Sequence, residues 1–244
     1  MNGDAERLVQ SPIFILSSIR SGSTLLRCLL DTHPLIHAPH ELHLVDLNVG
    51  IDEHFAALAM RIAGLDQREL EHLLWDRVLH RELTRSGKQL IVEKTPTNLL
   101  RWRRISECWP NARYLFLLRH PVHIVESAIA GRPHAAPAES VDLVTLFLTR
   151  LVEAQQALPG LTVRYEELTA DPHRVTRQVC SHLGVDWEPA MVAYGAQDHG
   201  PYVQGIGDFS DRIRSGVVQP SRPQPDPAEI PEELRDLCRT LSYW

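Results

Sequence analysis

The run Pro12-Ile13-Phe14-Ile15-Leu16 is short, apolar and β-favouring, and it passes directly into Ser17-Ser18-Ile19-Arg20-Ser21-Gly22-Ser23-Thr24 and then Leu25-Leu26-Arg27-Cys28-Leu29-Leu30. A strand, a small polar loop and a helix with buried spacing thus follow one another without a break. The alternation recurs. Gln89 to Val92 predicts a strand, Asn98 to Trp109 a helix, Ala112 to Leu118 the strongest strand, and Pro121 to Gly131 a helix with proline in its first turn. Leu161 to Tyr165 predicts a further strand, and Pro172 to Leu183 a helix that stops at Gly184. Short continuous apolar strands between helices imply an α/β fold, a central parallel sheet with helices on both faces.

The chain has 244 residues, of which 43% are hydrophobic, enough for one mixed α/β domain over residues 1–244. Between the first two expected strands lies a helical insertion, about residues 45–87. In it His54 to Ile62 and Arg68 to Leu83 carry apolar residues at helical spacing, such as Leu70, Leu73, Leu74 and Val78. It is expected to form a cap. Arg132 to Pro137 reads as a mobile loop, as does the Gly- and Pro-rich stretch from Gly195 to Pro231, which opens a C-terminal loop and helix segment of about residues 195–244.

Charge narrows the partners. With 25 basic and 31 acidic residues the net charge is −6, so nucleic acid is an unsuitable partner and any polyanionic ligand needs a local cluster of donors. Cys28, Cys108, Cys180 and Cys238 lie far apart, which offers neither a zinc site nor a redox dithiol and suits a reduced cytoplasm. Met1 to Gln10 carries Asp4 and Glu6 with no apolar core, unlike a signal peptide, and no apolar run is long enough for a membrane span. A cytoplasmic protein is expected.

Ser21-Gly22-Ser23-Thr24 stands where a strand ends and a helix begins. Free helix amides and the positive end of the macrodipole favour an anion there, Gly admits close approach, and Arg20 adds fixed charge. An ordinary capped helix start is the alternative. The full Walker pattern is missing, since Ser17 stands at its first glycine position and Ser23 where lysine belongs. A second feature sits after the strand Arg113 to Leu118, which ends in Arg119-His120-Pro121 with Ser127 on the following helix. The carboxyl end of a parallel strand is where open α/β sheets bind ligands, so Arg119 and Ser127 suit one further phosphate.

These two motifs together resemble the sulfotransferases that use 3′-phosphoadenosine-5′-phosphosulfate (PAPS). Arg20-Ser21-Gly22-Ser23-Thr24-Leu25 is similar to the family's 5′-phosphosulfate loop, and Arg119-His120-Pro121 with Ser127 to its 3′-phosphate motif. The likeness extends over Glu93-Lys94-Thr95-Pro96, Arg164-Tyr165-Glu166-Glu167-Leu168 and Gly205-Ile206-Gly207-Asp208. The stretch from Ile13 to Leu44 is most similar to bacterial sulfotransferases of natural-product pathways, including domains of polyketide synthases. The resemblance implies a P-loop-like nucleotide-binding core. It places Arg20 through Leu25 around the phosphosulfate, Arg119 and Ser127 on the 3′-phosphate, and Tyr165 near adenine, where core packing is the competing role. Cytosolic members lay an Arg-Lys-Gly loop over the nucleotide. Here Arg212 or Arg214 would supply that charge, or both are solvated loop arginines.

Sulfuryl transfer needs an in-line nucleophile, a base, and positive charge at the leaving phosphate. By resemblance to tyrosylprotein sulfotransferases, Glu41 is the candidate base, with His40 and His43 as alternatives. Lys94 is the candidate catalytic cation at the bridging oxygen, with Arg20 beside it. His33, His37, His40 and His43 match no zinc template, and no metal is expected. His120 reads as structural. Arg101, Arg103 and Arg104 suit a carrier protein's acidic face or plain solvation. The implied acceptor is a hydroxyl of a small or carrier-bound natural product. A P-loop nucleotide kinase and a non-catalytic binding module are the competing functions.

Overall fold

The computed structural model describes residues 7–200, 203, 205–208 and 210–244. Strand β1 (Ile13–Ser17) runs into helix α1 (Ser23–Asp31), and a two-residue strand, β2 (Ile36–His37), follows. Helices α2 (His54–Ile62) and α3 (Gln67–Ser86) precede β3 (Leu90–Glu93), α4 (Trp102–Cys108), β4 (Arg113–Leu118), α5 (Pro121–Gly131) and α6 (Pro137–Ala157). The remainder comprises β5 (Gly160–Arg164), α7 (Tyr165–Ala170), α8 (Pro172–Leu183), α9 (Asp211–Arg214) and α10 (Glu232–Thr240).

All five strands pair in parallel, in the order β2-β3-β1-β4-β5. Side chains alternate across the sheet, so each strand feeds two cores. Phe14, Leu16, Ile91, Tyr114 and Phe116 join one apolar layer with Trp75, Leu79, Ile105, Phe147 and Leu148. Ile13, Ile15, Val92, Leu115 and Leu117 join the other with Leu26, Leu29, Val175 and Val179. This is the expected α/β architecture with helices on both faces. β1 is central, and the chain leaves it toward β3 on one side and returns to β4 on the other. The crevice at the carboxyl ends beside that reversal is where such sheets hold ligands.

Several boundaries differ from the expectations. The expected helix Asn98 to Trp109 is a 3₁₀ turn at Pro96–Arg101 followed by α4, because the fully buried Asn98 turns its amide to Glu93 and Arg101 leaves the helical region at φ −123. Tyr165 opens α7 rather than closing β5. Pro137 begins a helix instead of ending a loop. In the insertion, α3 packs into the first layer through Trp75 and Leu79, whereas α2 buries none of its residues. No helix among the described residues is long and apolar enough to cross a membrane.

Candidate active site

Four strand ends build the site. After β1 the chain turns through two left-handed residues, Arg20 at φ 57 and Gly22 at φ 87. Gly22 is the N-cap of α1, and no side chain caps that end, so the alternative of a Ser or Thr cap is not realised. The first-turn amides keep their donors for something else. Ser21 Oγ is buried with no hydrogen-bond partner, as are Ser17 Oγ and Ser18 Oγ beneath it. Leu25 contributes its side chain to the core. A Cβ on Gly22 would lie 2.3 Å from the Tyr165 ring, so this position needs glycine for its conformation and for the close approach.

The ends of β4 and β5 supply the opposite wall. Arg119 Nη1 donates to the Arg20 carbonyl at 2.7 Å, and its guanidinium lies 4.6 Å over the Tyr165 ring. Burial pulls the Arg119 pKa below its ordinary value. Arg20 Nε donates to Ser127 Oγ on α5 at 3.1 Å. The Arg20 side chain therefore turns toward Ser127, while its carbonyl holds Arg119. His120 is fully buried and its Nδ1 accepts from Val122 N, capping α5. A cavity of about 760 Å³ joins these groups: Arg20, Gly22, Ser23, Thr24, Glu41, Arg119, Ser127, Tyr165 and Arg212 all line it. Arg214 is not on its wall. Arg222 and Glu126 are, and they pair with each other at 2.9 Å. An isolated arginine in a Pro-rich coil gives no local signal of such a role.

At the end of β3, Lys94 is 1% exposed and forms an ion pair with Glu41, itself 8% exposed. Burial lowers the Lys94 pKa and the Glu41 charge opposes that. Thr24 Oγ1 accepts from Lys94 Nζ at 3.4 Å and from the Asp208 amide at 3.0 Å. Gly207, at φ +88, lies over this group, with a Cβ position 3.5 Å from Thr24 Oγ1 and 3.8 Å from both Glu41 Oε1 and Lys94 Nζ. The carboxylate of buried Glu93 accepts from Leu42 N at 3.2 Å, from Thr95 Oγ1 at 2.6 Å and from Asn98 Nδ2, which ties the Glu41 loop to β3. Burial raises the Glu93 pKa.

The other candidates have separate partners. His40 Nδ1 meets the Glu41 carbonyl at 2.8 Å, His33 Nε2 meets the Asp186 carbonyl at 2.8 Å, and His37 lies 3.6 Å from Asp31. His43 Nε2 is 3.5 Å from Glu41 Oε2. Arg104 pairs with Glu71 at 2.8 Å and Arg103 with Glu153 at 3.5 Å, so two of the three helix arginines are engaged within the fold.

Comparison with known proteins bears on the family and the fold. The chain is 26% identical over 234 residues to nodulation protein NoeE of Sinorhizobium fredii, covering 82% of this chain and 55% of that protein. It is 26% identical over 201 residues to the omega-hydroxy-beta-dihydromenaquinone-9 sulfotransferase Stf3 of Mycobacterium tuberculosis, covering 68% and 51%. The chain spans about half the length of these curated relatives. Its fold is similar to the sulfotransferase domain of the Synechococcus PCC 7002 olefin synthase, with a TM-score of 0.70, 24% identity and 97% of both chains covered. A sulfotransferase domain from the curacin biosynthetic pathway gives the same TM-score and identity, covering 98% of this chain and 99% of that one. A family model described as "Sulfotransferase family" matches residues 12–189.

Proposed function

Because this chain belongs to the sulfotransferase family, we propose that it transfers a sulfuryl group from PAPS to a hydroxyl of a small-molecule or carrier-bound natural-product acceptor. One observation carries the reading: a single cavity is lined both by Arg20, Gly22, Ser23 and Thr24 of the loop after β1 and by Arg119 with Ser127. A nucleotide phosphorylated at its 3′ and 5′ ends needs two anion sites facing one space.

The residues fit such a ligand. The uncapped α1 terminus, the partnerless Ser21 hydroxyl and the Gly22 turn suit the 5′ end. Arg119, Ser127 and Arg20, already bonded to one another, suit the 3′-phosphate, with Arg212 completing the charge. The buried Tyr165 ring packs in the core, supports Arg119 and lines the same cavity, which suits its expected place near adenine. When bound, PAPS supplies an activated sulfuryl group.

Glu41 takes the proton of the attacking hydroxyl, because its carboxylate is on the cavity wall while His40 is turned to the main chain. Lys94 stays in reach of Glu41 and Thr24, where an ammonium stabilises negative charge growing on the leaving phosphate. Neither step needs a metal ligand among these residues. The olefin synthase and curacin domains named above support an acceptor from natural-product metabolism.

Calorimetric titration with 3′-phosphoadenosine-5′-phosphate (PAP), followed by transfer of labelled sulfate from PAPS to a panel of hydroxylated acceptors, tests the reading. The expected result is PAP binding that Arg119→Ala weakens, and label in an acceptor. No PAP binding by the wild type, or Mg²⁺-dependent binding of ATP in its place, rejects it. PAP binding without any transfer favours a binding module.

A further inference from the structure

Glu41 is 8% exposed, on the wall of the cavity that donor and acceptor would fill, and Lys94 occupies its Oε1, so a proton taken up there during transfer needs a route to water on the other side of the carboxylate. The second oxygen faces elsewhere. His43 Nε2 lies 3.5 Å from Glu41 Oε2, and His43 Nδ1 lies 3.1 Å from Asp46 Oδ2. Thr97 Oγ1 donates to that same Asp46 oxygen at 3.3 Å. His43 sits at φ 50, a left-handed conformation that a side chain adopts only when its surroundings hold it. The hold is visible: its amide donates to Thr95 Oγ1 at 3.2 Å, and Thr95 in turn donates to Glu93. The charged groups facing the imidazole are therefore Glu41 and Asp46, with Lys94 beyond the first and Glu93 behind Thr95. Unlike Glu41, the His43 ring reaches solvent, with 39% of its side chain exposed.

We propose that His43, oriented by Asp46, is the proton outlet of Glu41. This rests on the sulfuryl-transfer reading. Asp46 keeps the ring proton on Nδ1, which leaves Nε2 unprotonated 3.5 Å from Glu41 Oε2. During transfer the acceptor O–H bond breaks and its proton goes to Glu41, while the acceptor oxygen bonds sulfur and the bond from sulfur to the departing phosphate breaks. The proton then moves from Glu41 to His43 Nε2, and the imidazolium gives it to water. The Glu41 carboxylate returns beside Lys94 without opening the buried pair. His43 acts through Glu41 and is a positioning residue.

Two measurements test this. Nitrogen-15 correlation spectra of the histidines, recorded on the full chain with PAP added, are expected to show His43 as the Nδ1–H form; an Nε2–H form overturns the proposal whether or not turnover is found. With the best acceptor of the panel, His43→Ala should lower kcat roughly tenfold or more and move the acid limb of the pH profile. PAP affinity should change less than about twofold, and added imidazole should restore turnover. Asp46→Asn, which keeps His43 in place, should give a smaller loss and a mixed tautomer. A His43→Ala rate within about twofold of wild type, or no rescue by imidazole, overturns the outlet. These outcomes leave the parent reading standing. That reading fails separately, through a wild type that neither binds PAP nor moves labelled sulfate.

Discussion

Arg119 and Tyr165, from neighbouring strand ends, form one unit: the guanidinium lies 4.6 Å above the phenol ring and is tethered to the Arg20 carbonyl at 2.7 Å. Arg119→Ala removes a charged donor and should weaken PAP binding roughly 10- to 100-fold, from a loss of about 1.5–3 kcal/mol. Tyr165→Leu keeps the charge and removes its support, worth about 1 kcal/mol, so roughly fivefold is expected. Calorimetry on both variants checks the order. Equal losses would contradict a supporting role for the ring.

Gly22→Ala should damage both stability and ligand binding. The new Cβ would meet the Tyr165 ring at 2.3 Å while the backbone stays at φ +87. Strain and overpacking together cost about 2–4 kcal/mol, or roughly 4–16 °C in Tm for a chain of this size. A thermal melt with and without PAP reads both effects.

Glu41→Gln should cut turnover by roughly 10²- to 10⁴-fold and leave PAP affinity almost unchanged. Lys94→Met instead strands a buried carboxylate and should cost about 3–5 kcal/mol of stability, much of it recovered in the Glu41→Gln/Lys94→Met double variant. Urea denaturation of the four proteins gives the coupling; additive losses would deny it.

Arg212 and Arg214 separate in the same assay. Arg212 lines the cavity and also donates to the Gln219 carbonyl at 3.1 Å. Arg212→Ala is expected to weaken PAP roughly tenfold. Arg214→Ala should change it less than about twofold. Reversal would move the charge to the other arginine.

Acid should destabilise the fold well above carboxylate pKa values. Burial lowers His72 and His120 to about 4 each, helped at His72 by Arg104 and Arg7 and at His120 by His123. The unfolded chain binds a proton near pH 6.5 that the folded chain refuses, so stability is full above that pH and falls as pH drops toward 4. Each group accounts for up to about 3 kcal/mol at the acid end. Urea midpoints between pH 7.5 and 5 should decline, and His120→Asn, which keeps an acceptor for Val122 N, should flatten the decline. An unchanged slope in that variant would refute the assignment.

The elements best read from sequence are those with punctuation at both ends. Pro121–Gly131 and Pro172–Leu183 match their expected limits because proline opens each and glycine or a loop closes it. Helix α6 is not among the expected helices although Val144, Leu148 and Leu151 line up on one side. Its Val and Thr residues weaken the local preference, and packing against α5 and the sheet decides the outcome. β2 is two residues long and exists only through pairing with β3. In the site, motif spacing brings out Arg20, Lys94 and Arg119. The turn of the Arg20 side chain toward Ser127 and the arrival of Arg222 depend on chain segments whose meeting no local pattern records, whereas His43 and Asp46 stand three residues apart and meet within one turn.

β5 lies at the sheet margin and pairs with β4 alone, yet the chain passes directly from it into Tyr165. Fraying of that one margin would free the ring, loosen Arg119 and open the nucleotide end without melting the centre of the molecule. Ligand occupancy should therefore slow amide exchange in β5 more than in β1, which makes the outermost strand the gauge of how firmly the pocket is held.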